Sequence, residues 1–191
     1  MGHTGSTPRG IMLQAALTRL LSGPPSCAVA ASPATRAPRT LRCVSGETGG
    51  VPCARARQRC VIMGRATPVP VDVDINKWTI DPSEIRKNIT QRTKAVIVVH
   101  FLGNPCDLKK ISNICKKEKI FLIEDCAEAI GSKFNGEMVG NYGDCSTYSF
   151  FGNKTITTGE GGMITFKNKN IFEKANILRD HGMSKKKKIL S

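Results

Sequence analysis

The chain changes character abruptly after Thr67. Residues 1–67 hold nine arginines, no lysine and one acid, Glu47, for a net charge of +8. Residues 68–191 hold 17 lysines, three arginines and 14 acids, and with them all seven Phe and all ten Asn. Only the second stretch has the mixture of large apolar, aromatic and balanced charged residues that builds a packed core. The whole, at 191 residues, is long enough for one ordinary domain and too short for two large ones. No run of about eighteen apolar residues exists, which excludes an obvious membrane-spanning helix. The eight cysteines form no C-x-x-C pair and no ligand spacing. They read as reduced thiols of a cytoplasmic protein, with neither a disulfide framework nor a metal site expected.

The first stretch offers little periodicity. Ile11–Leu21 has helical spacing, and Gly23-Pro24-Pro25 stops it. Residues 26–60 sustain neither a helical nor a strand period. Three readings stand. An Arg- and Ser-rich, acid-poor segment resembles an organellar transit sequence. It also resembles a basic arm for nucleic acid. The favoured reading is a frame-shifted or joined fragment, because the composition is what GC-rich codons yield. Residues 1–63 are accordingly expected to be a low-complexity Ala/Pro/Arg-rich segment that adds no site and little ordered core.

The second stretch, 64–191, alternates strand and helix signals. Pro68–Val73 is a short strand candidate. Asp81-Pro82-Ser83-Glu84 starts a helix, with a capping carboxylate, proline at the first helical position and an acid three residues after the cap. Ala95–His100 and Ile120–Ile123 are continuous apolar runs, as in strands covered on both faces. Between them Leu108, Ile111, Ile114 and Cys115 recur at helical spacing with lysines opposite. Ser146–Phe151 and Met163–Phe166 are further strands, and Asn170–Leu178 is helical. The pattern predicts an α/β fold with a mostly parallel sheet and flanking helices, whose ligands sit at the carboxyl ends of strands.

Two of those ends carry chemistry. Ile120–Ile123 runs into Glu124-Asp125, with Glu128 following. Beyond Phe150-Phe151 lies Lys154, then Thr158-Gly159-Glu160-Gly161-Gly162. An acid and a lysine so placed read either as an ordinary surface ion pair or as a partly desolvated amine available as a nucleophile.

Five blocks, in order, carry a resemblance: ATPVPVDVD at 66–74, VVHFLGNPCDLKKI at 98–111, IEDCAEAIGSKFNGEMVGNYGD at 123–144, YSFFGNKTITTGEGGMI at 148–164 and LRDHGMSK at 178–185. Together they resemble the middle of the large domain of the DegT/DnrJ-type sugar-nucleotide aminotransferases, perosamine synthases above all. The resemblance implies part of the aspartate-aminotransferase-like, type I fold of pyridoxal-phosphate (PLP) enzymes. It also implies a homodimer acting on a 4-keto-6-deoxy nucleotide sugar with an amino-acid donor, glutamate. Nucleic acid and membrane are not expected partners. Residue by residue, Lys154 matches the lysine that holds PLP through its amine and moves the substrate proton. Asp125 matches the carboxylate facing the pyridine nitrogen, and Ser149 the hydroxyl on the cofactor phosphate. Glu128 stands where the family places a residue near the cofactor's phenolic oxygen. Sugar-dehydrating members carry histidine where this chain has Lys154. Gly159, Gly161 and Gly162 fit a tight turn behind the lysine. His100 reads as structural, and His181 has no derivable role. The family's upstream Ser-Gly-Thr phosphate segment and stacking aromatic have no counterpart in residues 1–63, where Val44-Ser45-Gly46-Glu47-Thr48 is only an echo. An inactive remnant or a non-catalytic interaction protein therefore stands as the alternative.

Overall fold

A computed structural model describes the backbone of residues 41–46 and, with side chains, residues 58, 60–62 and 64–179. The expected helix at Ile11–Leu21, the 178–185 block beyond Arg179 and the lysine run 185–188 lie outside these residues. Among the described residues no helix is long and apolar enough to cross a membrane.

The fold is α/β. Its strands are β1 (Leu41–Gly46), β2 (Ala66–Val71), β3 (Val73–Asp74), β4 (Thr79–Ile80), β5 (Thr93–Val99), β6 (Phe121–Asp125), β7 (Lys133–Phe134), β8 (Glu137–Met138), β9 (Cys145–Ser149) and β10 (Gly162–Phe166). Six of them form one sheet in the order β10-β9-β6-β5-β1-β2, while β3-β4 and β7-β8 are two-stranded ribbons. Within the six-stranded sheet only β10 is antiparallel to its neighbour, β9.

The helices form for the reasons their sequences suggest. Helix α1 (Pro82–Asn88) starts at Asp81, whose carboxylate accepts the Ser83 N–H at 2.7 Å. Helix α2 (Leu108–Glu118) starts at Asp107, which accepts from the Lys110 N–H. It stops where Lys119 turns left-handed, at φ 54°, and returns its N–H to the Cys115 and Lys116 carbonyls. Leu108, Ile111, Ile114 and Cys115 form its buried stripe. Helix α3 (Lys169–Arg179) follows β10, and Phe172 meets Phe166 edge-on across a 6.3 Å ring separation.

Alternation along the central strands divides the core between two faces of the sheet. Val96, Val98 and Leu122 pack with Ile85, Ile111 and Ile114 on the helix α2 side. Ala95, Ile97, Ile123 and Cys145 pack with Val61 on the other. A strand buried on both sides has no polar face, which is why β5 from Ala95 to Val99 reads as an unbroken apolar run.

Residues 26–60 carry no strand period, yet β1 lies inside the sheet, parallel to both β2 and β5, with Val44 opposite Val69 on one side and Val96 on the other. Its place comes from two ladders of backbone hydrogen bonds, which a sequence without β-branched alternation does not advertise. Strand ends also shift. The strand expected over Ser146–Phe151 stops at Ser149, and the Phe150 N–H to Gly161 carbonyl bond extends the pairing with β10 one step past its end.

Candidate active site

Strands β6 and β9 are adjacent and parallel, with Asp125 opposite Thr147. Their carboxyl ends therefore open on the same edge of the sheet. Side chains alternate along each strand. Asp125 and Ser149 thus project to the Ile123–Cys145 face, and Glu124 and Ser146 to the helix α2 face. Asp125, half-buried, accepts the Ala127 N–H at 3.1 Å, which turns the chain immediately after β6. Ser149 closes β9, and its Oγ accepts the Phe151 N–H at 3.4 Å.

The two segments beyond these ends meet. Lys154 Nζ lies 3.3 Å from Glu128 Oε1, with the two side chains 15% and 29% exposed. The other oxygen of Glu128 accepts the Leu102 backbone N–H at 3.1 Å. Both oxygens of the carboxylate are thereby fixed, one on an amide and one on an ammonium. The lysine loop is closed by the Phe150–Gly161 and Thr158–Phe150 backbone bonds. Gly161 has φ +151°, a backbone that side chains rarely adopt, and a Cβ there would stand 2.8 Å from Thr158 Oγ1 and force that hydroxyl to move. Gly159 sits in open space at φ +78°, so its backbone conformation and not crowding selects glycine. Gly162, grouped with them in the sequence reading, is instead the first residue of β10.

Behind the site, on the helix α2 face, lies a polar cluster that sequence reasoning missed. Glu124 is fully buried and accepts four hydrogen bonds. Oε2 takes His100 Nε2 at 3.0 Å and the Gly140 N–H at 2.8 Å. Oε1 takes the Tyr142 N–H at 2.9 Å and the Gly143 N–H. Burial by itself would raise the pKa of this carboxyl. The His100 bond and the Gly140 and Gly143 amides outweigh it and hold the group below the ordinary carboxylate range. His100, also fully buried, accepts the Cys106 N–H on Nδ1 at 3.1 Å. An amide can only donate, so the ring proton sits on Nε2 and is given to Glu124. Both ring nitrogens of His100 are thus committed within the core. The one sequence clue to Glu124 was an acid ending an apolar run, one residue out of phase with Asp125.

His100, Glu124 and Cys126 place potential ligand atoms within 4.8 Å of one another. Both imidazole nitrogens are already committed, so the set offers no free imidazole lone pair. Burial pushes the thiols of Cys106, Cys115 and Cys145 up to about 12 and raises Cys126 as well. These are inert core thiols, not nucleophiles. A groove of about 500 Å³, lined by Lys109, Lys116, Glu137, Tyr142 and Lys167 among others, contains none of the candidate site residues.

The profile of the DegT/DnrJ/EryC1/StrS aminotransferase family matches residues 55–190. GDP-perosamine synthase of Escherichia coli O157:H7 is 48% identical over 119 residues, covering 62% of this chain and 33% of the relative. dTDP-3-amino-3,6-dideoxy-alpha-D-galactopyranose transaminase of Aneurinibacillus thermoaerophilus is 46% identical over 122 residues, covering 63% and 34%. An aminotransferase from Psychrobacter cryohalolentis superposes with a TM-score of 0.75 at 31% identity, over 92% of this chain and 40% of that one. The chain thus spans about a third of the length of the curated relatives it matches.

Proposed function

The chain belongs to the DegT/DnrJ/EryC1/StrS aminotransferase family, and from that premise we propose that it is part of a PLP-dependent sugar-nucleotide aminotransferase. The reaction is amination of a 4-keto-6-deoxy nucleotide sugar, with glutamate as donor. The observation that carries the reading is the Lys154–Glu128 pair, set beyond the same sheet edge at which Asp125 and Ser149 end their strands.

The donor set suits the cofactor: an amine, a carboxylate on the sheet and a hydroxyl two residues past its neighbour in the ladder. Lys154 would hold PLP covalently through Nζ, Asp125 would hold a proton on its ring nitrogen, and Ser149 would donate to its phosphate. When bound, the cofactor supplies a sink for the electrons left on carbon as a proton departs. Lys154 Nζ, once freed, carries that proton. Asp125 must stay charged for this, and its carboxylate is steadied by the Ala127 N–H. Glu128 holds Nζ in place between proton transfers and is itself held by the Leu102 N–H. The sugar substrate rests on the identity to the perosamine synthase. The enzyme works as a cytoplasmic homodimer, as the family resemblance implies.

Incubating the chain with PLP, reducing with borohydride and mapping the peptides tests the assignment. The label is expected on Lys154, and a label on Lys109 or Lys133 with Lys154 untouched refutes it. Amino transfer from glutamate to a 4-keto nucleotide sugar, in a version extended to the relatives' length, tests the reaction. Release of a dehydrated sugar without an aminated product counts against it.

A further inference from the structure

Leu102 adopts φ 51°, ψ 32° inside the short 3-10 turn Phe101–Gly103. Left-handed backbone is unfavourable for a residue with a side chain. Apolar packing does not compensate, since Leu102 is 76% exposed. The turn presents the Leu102 N–H to Glu128 Oε2, 26 residues away in sequence, and the left-handed residue carries the chain on from there. The turn is built to stay so. Its carbonyls at His100 and Phe101 accept the Gly103 and Asn104 N–H groups. Ser132 Oγ donates to the Gly103 carbonyl at 2.7 Å. The buried His100 ring, anchored on Glu124, accepts the Cys106 N–H from the far end of the segment.

We infer that Leu102 is a positioning residue: its backbone N–H fixes the Glu128 carboxylate, and Glu128 fixes the amine of Lys154. The inference deepens the proposed function and rests on it for the meaning of Lys154. The physical chain is continuous. The buried His100–Glu124 pair holds the turn, the turn orients an amide, and the amide leaves Glu128 one oxygen with which to meet the ammonium. A carboxylate tethered at one oxygen has lost most of its rotational freedom before the lysine arrives.

The test uses the full 191-residue chain without cofactor. Lysines are acetylated competitively with acetic anhydride, and the rate at Lys154 is read by peptide mapping against the exposed Lys109 and Lys133. Acetylation requires the amine to leave its ion pair. Leu102→Pro deletes the N–H and forbids positive φ, while Leu102→Gly keeps the N–H and favours positive φ. Leu102→Pro and Glu128→Gln are each expected to raise the relative Lys154 rate about threefold or more, the scale of a lost charge-assisted contact. Leu102→Gly is expected to stay near the parent rate. In the Glu128→Gln background Leu102→Pro is expected to add nothing, which a merely structural role would not produce. An unchanged rate in Leu102→Pro, an equal rise in both backgrounds, or a Leu102→Gly rate matching Leu102→Pro overturns the inference. Should Leu102→Pro unfold, amide exchange decides. The Leu102 N–H is expected to exchange about tenfold faster in Glu128→Ala than in the parent, and equal rates overturn the inference. Borohydride trapping of PLP on the parent chain is a separate arm. A label with no preference for Lys154 sinks the proposed function while leaving the acetylation and exchange results to judge Leu102.

Discussion

Replacing Glu124 by glutamine keeps the shape and changes only what the two terminal atoms can do. In the parent each carboxylate oxygen accepts two donors, all buried but the half-buried Tyr142 amide: His100 Nε2 and the Gly140 N–H on one, the Tyr142 and Gly143 N–H groups on the other. A glutamine has one carbonyl oxygen and one NH₂. If the NH₂ faces Tyr142 and Gly143, two backbone donors lose their acceptor. If it faces His100 and Gly140, the ring would have to move its proton to Nδ1, where the Cys106 N–H already points. Either orientation strands two donors, at about 1–3 kcal/mol each, so Glu124→Gln is expected to destabilise by about 4 kcal/mol. Against a typical domain stability of about 5–15 kcal/mol that is a large loss. The sign of the pH dependence follows from the same contacts. The folded-state pKa is depressed, so the stabilisation is present above the ordinary carboxyl value of 4.5 and is lost as pH falls through the folded value. The gap between parent and variant should therefore narrow in acid. Urea unfolding followed by circular dichroism, with amide exchange at Gly140 and Tyr142, measures both. A neutral-pH difference under about 1 kcal/mol, with unchanged protection of those amides, would show that the four-fold acceptor does not exist.

Proline at Val44, in the middle of β1 between two parallel neighbours, is expected to cost about 3 kcal/mol or more. An unaltered unfolding curve would show that β1 adds nothing measurable to the stability of the sheet. The buried thiols of Cys106, Cys115 and Cys145 stay protonated until about 12 in the folded chain against an ordinary 9.0. Their stabilisation is whole below the ordinary value and is lost as pH climbs toward the folded one, at about 1.4 kcal/mol per thiol one unit above it. A urea midpoint that does not move between about pH 8 and about pH 10 contradicts this. In a version extended to the relatives' length, Asp125→Asn is expected to lower amino transfer at least about tenfold more than Glu128→Gln, because only Asp125 must present a full charge to the cofactor ring. Equal losses would mean the two carboxylates' roles are exchanged.

What could be read from the residues alone was whatever a local pattern encodes. The apolar runs of β5 and β6, the Asp81-Pro82 start of α1 and the stripe of α2 are each complete within a dozen residues, and each appears where expected. β1 was not readable because LRCVSG has no period of its own and is a strand only by virtue of β2 and β5. The pairing of Lys154 with Glu128 spans 26 positions, and the acceptor role of Glu124 rests on amides 16 to 19 positions further on. No local pattern reports such contacts, since they exist only once β5, β6 and β9 are side by side.

The period-two geometry of β6 connects these observations to function. Glu124 and Asp125 are neighbours in sequence and face opposite sides of one sheet. Asp125 lies half-buried on one face, where the proposed role would need it charged, whereas Glu124 is sealed on the other among backbone amides. A one-residue slip of β6 would exchange them, placing the four-fold acceptor in the site and the site carboxylate in the core. The bonds from Glu124 to Gly140, Tyr142 and Gly143 hold the strand against that slip. They secure the register of β6 and, through His100, the turn that carries Leu102. The same buried carboxylate thus supports the proposed site twice, once by fixing where Asp125 emerges and once by fixing what Glu128 can reach. Substitutions at Glu124 should therefore disturb Asp125 and Lys154 together, whereas substitutions at Leu102 should disturb Lys154 alone.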